Sequence, residues 1–459
     1  VPVVADAVDP DDLVDRTVLD LYGAALAHWN LARWKRPGTR HIRVYNPQFD
    51  RDGWQSSHTV IEIVHDDMPF LVDSARMLIN RHGFTVHLIV HPVMAVRRDE
   101  EGNLLEIARA HEEHTDLNRE AMLHFEIDRQ TDQQVLELLE RDMERVLDDV
   151  SASVQDWPAM RKKAYEIADG LNADVAPVTP TDVEETRAFL RWLGKDYFTF
   201  LGFREYKLEE KQGEPRLKVV PGSGMGILRS AEQEESKSFS RLPLELRKLA
   251  MQPRLLITTK SSSRATVHRP GYLDYIGIQQ FDAEGRVIGE WRFLGRYTSN
   301  AENCRPKNIP LVRNKVQRVM ERSGLRRNSH SAKALLSILE TLPRDELFQG
   351  SEGELYRSAT AILHLQERQR VKLIVRPDRY RRYLTCLVYL PRERFNTNVR
   401  LRIQDLLRDT FGAHTVDFTV SLSESVLARI YLVAHTWPNP LPDYDEQDLE
   451  LRVQELART

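Results

Sequence analysis

One stretch of the chain combines acidic side chains with the start of a helix. Asp66 and Asp67 follow an apolar, β-branched run and precede Met68, Pro69 and Phe70, after which apolar residues recur at helical spacing. The N–H groups at a helix N-terminus attract a carboxylate, and a nearby aspartate attracts an ammonium group. These residue types therefore suit a ligand that carries both a carboxylate and an ammonium group. The structural alternative is that Asp66 or Asp67 caps the helix and Phe70 belongs to the core.

Three other polar segments fit structural roles better than catalytic or metal-binding ones. His111 and His114 enclose two glutamates, but the spacing is not that of a zincin and no third ligand is evident nearby, so we expect a solvated loop and no metal. The glycine-rich segment Pro221–Gly226 lacks the lysine of a P-loop and indicates a hairpin or bulge. Ser261–Ser263 lack the Gly-x-Ser-x-Gly context of a nucleophile and suit turn hydrogen bonds. We assign no catalytic residue.

Arginines are concentrated between residues 376 and 408, with tyrosine and phenylalanine among them. RNA binding is one interpretation of this composition. The whole chain is slightly acidic, with 69 acidic and 65 basic residues. This balance favours an interface with a sister subunit or with another domain of the same polypeptide, and no nucleic acid. The interface candidates are Arg381, Arg382, Arg392 and Arg394.

Composition narrows the class of protein. The chain has 459 residues, 41% hydrophobic and 29% charged, which predicts roughly three globular domains of ~150 residues. No apolar run approaches the ~18 residues of a membrane helix, so we expect no membrane partner. Cys304 and Cys386 match no redox or zinc spacing, which predicts free, at least partly buried thiols in a reducing, cytoplasmic compartment. The chain starts without methionine and stops in a helical pattern, which predicts a piece of a longer polypeptide.

The predicted elements fall into three groups along the chain. The first has the order β-α-β-β-α, typical of a ferredoxin-like split βαβ unit, with strands at 59–64, 85–96 and 122–128 and helices after Pro69 and at 133–150. Strand patterns dominate 197–298 and predict an antiparallel sheet domain of PAS/GAF shape. After two or three helices comes a second small α+β unit, whose alternating strand from Val416 to Leu422 should have one buried face. The first and third groups are alike in size and type, which suggests a duplication.

Several longer motifs occur in an order that resembles a known family. They are His65–Ser74, Asn80–Gly83, His87–Pro92, Lys260–Arg264, His268–Gly277, Pro343–Phe348 and Pro391–Thr397. Together they resemble the amino-terminal half of the large bacterial NAD-dependent glutamate dehydrogenases, from about His41 to the end of the chain. Within them, Asp67–Leu71 resembles the Asp-x-Pro-Gly-Leu turn of ACT domains, with Phe70 in place of glycine. Because that turn can hold an amino-acid effector in ACT domains, the resemblance implies that Asp66, Asp67, Met68 and Phe70 are candidates for binding one.

The resemblance implies a multi-domain α+β fold in which ACT-like (βαββαβ) units flank a PAS/GAF-like antiparallel sheet domain, with connecting helices. The expected parts are an N-terminal lead (1–50), a first ACT-like domain (51–155), a PAS-like domain (180–305), a helical connector (306–368), and a second ACT-like domain with the start of a following helix (369–459).

The implied role is regulation and oligomerisation of a parent enzyme that converts L-glutamate and NAD to 2-oxoglutarate, ammonia and NADH. The chain has no Gly-x-Gly-x-x-Gly and no Gly-Gly dipeptide, so we expect this segment to be inactive and to bind no cofactor, NAD belonging to the parent. The expected partners are further copies of the chain, the parent's catalytic domain and an amino-acid effector. Two alternatives remain: an assembly module that binds no small molecule, favoured by Phe70, and a free-standing amino-acid-sensing ACT protein.

Overall fold

A computed structural model describes residues 16–109, 117–172, 177–230, 233–365, 368–422 and 425–458. They belong to two units. The first comprises the residues up to Asp156 together with Ala265–Pro270, and the second comprises Trp157–Arg264 and the residues from Gly271 onward. The histidine motif at 111–114 lies outside the described residues.

The first unit is an antiparallel sheet with helices. Its elements are α1 (Val18–Ala32), β1 (His41–Tyr45), α2 (Phe49–Asp52), β2 (Thr59–Asp66), α3 (Leu71–Arg81), β3 (Val86–Val90), β4 (Val93–Arg98), β5 (Leu104–Arg109), β6 (Asn118–Ile127) and the start of α4 (Gln133–Gly170). The strands are ordered β1-β2-β6-β4-β5, and β3 also pairs with β6. Strand signal at 85–96 thus belongs to two strands, β3 and β4, which pair with opposite halves of β6 and are separated at His91 and Pro92. A proline breaks the ladder because it has no N–H to donate.

The strand order shows how the predicted split βαβ unit closes. Strands β1, β2, β6 and β3 lie side by side, so β1 occupies the edge where the last strand of a ferredoxin-like fold would lie, although it comes first in the chain. A strand from the expected N-terminal lead therefore belongs to the first sheet. The predicted apolar stripe of α3 is confirmed, since Leu71, Ala75, Leu78 and Ile79 are buried.

Helix α4 is longer than predicted. Its stripe was expected to end at Val150, which is buried, but the helix continues to Gly170 and passes through Pro158. Met160, Ala164 and Ala168 continue a buried stripe at helical spacing within the core of the second unit. The same helix thus supplies residues to the cores of both units.

The second unit contains two sheets and a set of helices. Its elements are α5 (Pro180–Trp192), β7 (Phe198–Lys211), β8 (Glu214–Val219), β9 (Met225–Gly226), α6 (Lys237–Ser240), α7 (Leu244–Ala250), β10 (Leu256–Arg264), β11 (Tyr272–Phe281), β12 (Val287–Tyr297), α8 (Ser299–Asn303), α9 (Val312–Arg322), α10 (His330–Thr341), α11 (Arg344–Gln349), α12 (Glu352–Leu363), β13 (Lys372–Pro377), β14 (Tyr383–Pro391), α13 (Thr397–Phe411), β15 (Thr415–Ser421), β16 (Leu427–His435) and α14 (Glu446–Leu456). The larger sheet has the order β10-β11-β12-β7-β8, with β9 on β7.

The glycine- and serine-rich segments have structural positions in this sheet. Gly226 takes φ +60° in β9, and a Cβ atom there would lie 2.0 Å from the Leu201 carbonyl oxygen, so only glycine permits this close pairing. Ser261–Ser263 lie in the irregular end of β10, where the register shifts between Lys260 and Arg264. Ser261 Oγ there accepts from the Ser263 N–H at 3.1 Å.

The smaller sheet repeats the topology of the first unit. Its strands are ordered β13-β14-β16-β15, and the leading strand β13 again forms an edge, as β1 does in the order β1-β2-β6-β3. Helix α13 begins after Asn396, whose side chain accepts from the Val399 N–H, and ends at Gly412 with φ +60°. The predicted buried face of β15 is wrong in part: Val416 is buried, but Phe418 is 46% exposed because β15 is an edge strand.

Candidate functional site

The candidate effector turn connects β2 to α3. Phe70 precedes the helix with φ +74°, in the left-handed region that glycine enters without cost. No side chain caps α3, so the expectation that Asp66 or Asp67 caps it is wrong. Phe70 is half-buried rather than part of the core.

The two aspartates are each paired with a cation. Lys35 Nζ donates to Asp66 Oδ1 at 2.7 Å, and Arg119 Nε lies 3.2 Å from Asp67 Oδ2. The Asp66 side chain is nevertheless 45% exposed and that of Asp67 is 27% exposed. Lys35 is buried and also contacts Glu120, with Nζ 3.2 Å from Oε1. The accessible charges are the two carboxylates and Arg119, whose side chain is 60% exposed, and they suit a zwitterion, which presents an ammonium and a carboxylate together.

A segment of the chain itself lies along α3. The ring of Phe70 is 4.7 Å from that of His268, and the His268 N–H donates to Ser74 Oγ at 3.1 Å. Arg81 Nη2 donates to the Ala265 carbonyl oxygen at 2.7 Å. One side of the first turn of α3 is therefore occupied by residues 265–270, while the carboxylates of the turn remain accessible.

The shared topology places some of the arginine candidates at an equivalent turn. The strand-to-helix turn of the smaller sheet runs from β14 to α13 and carries Arg392 and Arg394, both exposed. Arg381, also exposed, lies at the opposite end of β14. Arg382 is buried: its Nε lies 3.1 Å from Asp378 Oδ2, and its Nη2 donates to Thr259 Oγ1 at 3.0 Å. Three of the four candidates therefore face solvent, and Arg382 makes its contacts within the chain.

Two groups of polar residues were not found from the sequence. One is a buried pair, Arg376 and Glu346, which join β13 to α11 through two hydrogen bonds of 2.9 Å. The other comprises His28, Glu62 and His124 in the first unit, whose ligand atoms lie within 4.8 Å of one another. Glu62 and His124 are polar residues within apolar strand patterns, and this exception to the pattern is the feature of the sequence that could have indicated the cluster.

The larger sheet has a small polar cavity. Its volume is about 40 Å³, it is partly open to solvent, and Tyr275, Glu290, Arg292 and Arg382 are among the residues lining it. That volume admits water but is far below the ~300 Å³ of a typical small-molecule pocket. Glu290 pairs with Arg292 at 2.9 Å and Arg382 pairs with Asp378 at 3.1 Å, so each arginine of the wall has a carboxylate partner.

Comparison with known proteins identifies the domains. Models of glutamate dehydrogenase domains match residues 3–143 (ACT1 domain), 309–368 (helical motif 1) and 372–459 (ACT2 domain). The chain is thus an ACT-domain segment, with two ACT domains separated in sequence by a sheet domain and a helical motif. These matches fit the amino-terminal part of NAD-specific glutamate dehydrogenases.

The relatives are much longer than this chain. NAD-specific glutamate dehydrogenase from Halomonas elongata is 42% identical over 454 residues, covering 98% of this chain and 28% of that protein. The Pseudomonas aeruginosa enzyme is 37% identical over 449 residues, with the same two coverages, and the Mycobacterium tuberculosis enzyme is 28% identical over 410 residues, covering 89% and 24%. The chain therefore spans about a quarter of the length of the curated relatives it matches.

A solved structure, a blue-light activated histidine kinase from Erythrobacter litoralis, covers 52% of this chain and 96% of its own, at 12% identity. Its TM-score is 0.14, which is too low to support a fold assignment. Among the described residues, no helix is both long and apolar enough to cross a membrane.

Proposed function

We propose that the chain is the regulatory and oligomer-building segment of a large NAD-dependent glutamate dehydrogenase. The observation that carries this proposal is the repeated topology: two sheets share one permuted strand order, and each has charged residues at the equivalent strand-to-helix turn. The match to ACT1 and ACT2 domain models supports it. In this account the parent oxidises L-glutamate with NAD, and this segment biases the parent through contacts that differ between two states.

The segment itself is proposed to be inactive and to bind no nicotinamide cofactor. Two observations support placing catalysis and cofactor binding elsewhere in the parent: the sequence has no dinucleotide fingerprint, and the relatives are much longer than this chain. The larger sheet is proposed to be PAS/GAF-like. Its order β10-β11-β12-β7-β8 supports this, because β12, the last of these strands along the chain, pairs with both β11 and β7 and so joins β10–β11 to the β7–β8 hairpin. A cytoplasmic location is part of the proposal and is supported by two free cysteines, Cys304 and Cys386.

The effector site is proposed at Asp66 and Asp67, with Arg119, whose side chain is 60% exposed, as the cation that faces the effector carboxylate. Calorimetry of the whole chain against glutamate, aspartate, arginine and leucine tests it. We expect saturable binding that is lost in Asp67→Ala and retained in Asp73→Ala. Asp73 is the matched control because it is an exposed acidic residue in the first turn of the same helix, paired only locally with Arg76.

A silent panel with a folded sample would refute the effector site and favour the second candidate, an assembly module. The edge of the smaller sheet at β15 supports assembly, because the other edge, at β13, is already covered. The β13 edge is covered by α14, because Glu450 and Glu446 accept from the N–H groups of Leu373 and Val375. Among the described residues no strand covers the opposite edge, β15, which carries the exposed Phe418.

Sedimentation of the whole chain tests the assembly proposal. We expect a mass that is a multiple of 53.3 kDa, reduced to one chain by Phe418→Lys. Leu451→Lys is the control, since Leu451 is 58% exposed on α14, away from the free edge. A mass of one chain for the unmodified protein would contradict oligomer building by this segment.

A further inference from the structure

A polar cluster lies on the face of the first sheet that α1 covers. Glu62 on β2 and His124 on β6 are directly opposite each other in the sheet register, on the two central strands. Their side chains therefore project side by side from the same face. Glu62 is fully buried and His124 is 8% exposed, and His28 joins them from α1. One ligand atom from each of the three residues lies within 4.8 Å of the other two.

The carboxylate in this cluster is incompletely satisfied. Tyr45 donates its hydroxyl to Glu62 Oε1 at 3.2 Å. Glu62 Oε2 is buried and has no hydrogen-bond partner among the described residues. A buried carboxylate oxygen without a partner costs several kcal/mol unless a cation or a proton satisfies it. This oxygen therefore indicates that something positively charged belongs beside it.

The imidazole groups are oriented by their other contacts. His28 Nε2 lies 3.3 Å from the Ile63 carbonyl oxygen, which can only accept, so Nε2 carries the hydrogen and Nδ1 keeps its lone pair. His124 Nε2 lies 3.5 Å from Glu126 Oε1, while its Nδ1 faces Glu62 Oε1 at 4.0 Å. Metal-binding histidines commonly donate their second N–H to a backbone carbonyl or a carboxylate, as both do here.

Glu126 is itself held in place from the outside. Arg16 forms a two-point ion pair with its carboxylate, with Nη2 donating to Oε2 at 2.9 Å, and His58 Nδ1 lies 3.2 Å from Oε2. An outer carboxylate fixed in this way holds the neighbouring imidazole in one orientation. The cluster thus has three candidate ligands and an outer layer that orients two of them.

From this arrangement we propose that His28, Glu62 and His124 bind a divalent transition-metal ion, with Zn²⁺ as the best fit. Two imidazoles and one carboxylate are a known three-ligand zinc set that leaves a fourth position for water. Bonds of about 2.0–2.2 Å place neighbouring ligand atoms roughly 3.3–3.5 Å apart, so the side chains close by about 1.5 Å at most on binding. Rotation about side-chain bonds supplies a movement of that size.

The ion would attach α1 to the sheet. Of the residues in α1, only Gly23 and Ala32 are buried, whereas Val18, Leu19 and Tyr22 are each more than half exposed. Apolar burial alone therefore holds this helix weakly. A ligand from α1 and two from the central strands would make docking of the helix depend on the metal. This inference is independent of the proposed effector site and of the parent's activity.

Metal titration of the whole, tag-free chain after treatment with chelator tests the proposal, with Co²⁺ as a spectroscopic probe and Zn²⁺ as competitor. We expect one Co²⁺ per chain, visible absorption bands, and displacement by Zn²⁺. Glu62→Gln and His28→Gln should weaken Co²⁺ binding by more than roughly 100-fold, and the outer Glu126→Gln by about 10–100-fold. His82→Gln is the control, because His82 pairs with a carboxylate, Asp142, away from the cluster and should leave binding unchanged.

A second readout does not depend on the buried variant folding. Zn²⁺ should slow proteolytic cleavage within α1 and raise the midpoint of thermal unfolding in the unmodified chain and in His82→Gln, but not in His28→Gln, whose half-buried side chain tolerates replacement. Failure of Co²⁺ to bind, or binding unchanged in both His28→Gln and Glu62→Gln, would overturn the proposal.

Discussion

The buried pair of Arg376 and Glu346 gives the sharpest test of how the helical motif is joined to the second ACT domain. Arg376 lies on β13 and Glu346 on α11, and their side chains are only 7% and 6% exposed. Both guanidinium hydrogen bonds to the carboxylate are 2.9 Å long, and the Tyr431 hydroxyl donates to Glu346 Oε1 at 3.2 Å. Although burial opposes the charged form, Glu346 raises the pKa of Arg376, so the pair is ionic.

Removing one partner should cost much more than removing both. In Glu346→Ala the guanidinium stays buried with Gln349 Oε1, at 3.3 Å, as its remaining side-chain acceptor. An uncompensated buried charge of this kind lowers the free energy of unfolding by about 3–5 kcal/mol. The double replacement Glu346→Leu with Arg376→Met removes both charges and keeps the volume filled, so we expect its loss to be below about 1.5 kcal/mol.

Urea unfolding of the whole chain, followed by circular dichroism, measures both effects. The control is the exposed pair of Asp405 and Arg408 on α13, with side chains 59% and 45% exposed, where Asp405→Ala should cost less than about 1 kcal/mol. If the single and double replacements of the buried pair cost the same, or if their effects simply add, the reasoning from buried charge is refuted.

Three further results follow from single residues. Phe70→Gly should be more stable than Phe70→Ala by roughly 1 kcal/mol in urea unfolding, because alanine keeps a Cβ atom at φ +74° and glycine has none. Equal stabilities of the two variants would contradict that backbone conformation. Burial lowers the pKa of Lys315 to about 7, so between pH 7 and 10 this lysine holds its proton in the unfolded chain but not in the folded chain. The free energy of unfolding, measured relative to that of Lys315→Met, should therefore rise with pH by up to about 1.4 kcal/mol per pH unit. Parallel curves of stability against pH for the two proteins would contradict this. Burial raises the pKa of both thiols, but Cys386 is buried and Cys304 is partly exposed, so a thiol reagent should modify Cys304 first in the native chain and Cys386 only after unfolding; equal rates in the native chain would contradict this.

Local patterns predicted most elements because their signals lie within a few residues. Helix α13 lies between Asn396 and Gly412, residue types that commonly cap helices, and β1 is a short strand at His41–Tyr45. The edge position of that strand depends on pairing with β2, and no local pattern encodes it. Helix α4 continues beyond its predicted end at Val150, because the apolar residues that follow pack in the core of the second unit.

The candidate site was predicted in composition but not in detail. The motif indicated the turn at Asp66–Phe70 and the place of Phe70 in it, whereas Lys35 and Arg119 come from distant parts of the chain. Arg382 was counted as a surface residue because its buried partner, Asp378, cannot be recognised without the fold. Glu62 and His124 were not recognised as site residues, since each is a single polar residue in an otherwise apolar run that predicts a strand.

The equivalence of the two ACT domains gives the turns a common interpretation. The turn after β2 carries two aspartates, and the turn after β14 carries Arg392 and Arg394. A duplicated unit whose copies differ in charge at the same position can bind different partners there. In our account the acidic turn receives a small effector and the basic turn an acidic protein surface.

The central claim is that this chain regulates and assembles but does not catalyse. Its most direct test is NADH formation from L-glutamate and NAD by the purified 459-residue chain. The account predicts no glutamate-dependent NADH formation at any protein concentration, with and without an amino acid that binds in calorimetry. A rate of NADH formation that rises in proportion to the concentration of this chain would contradict it.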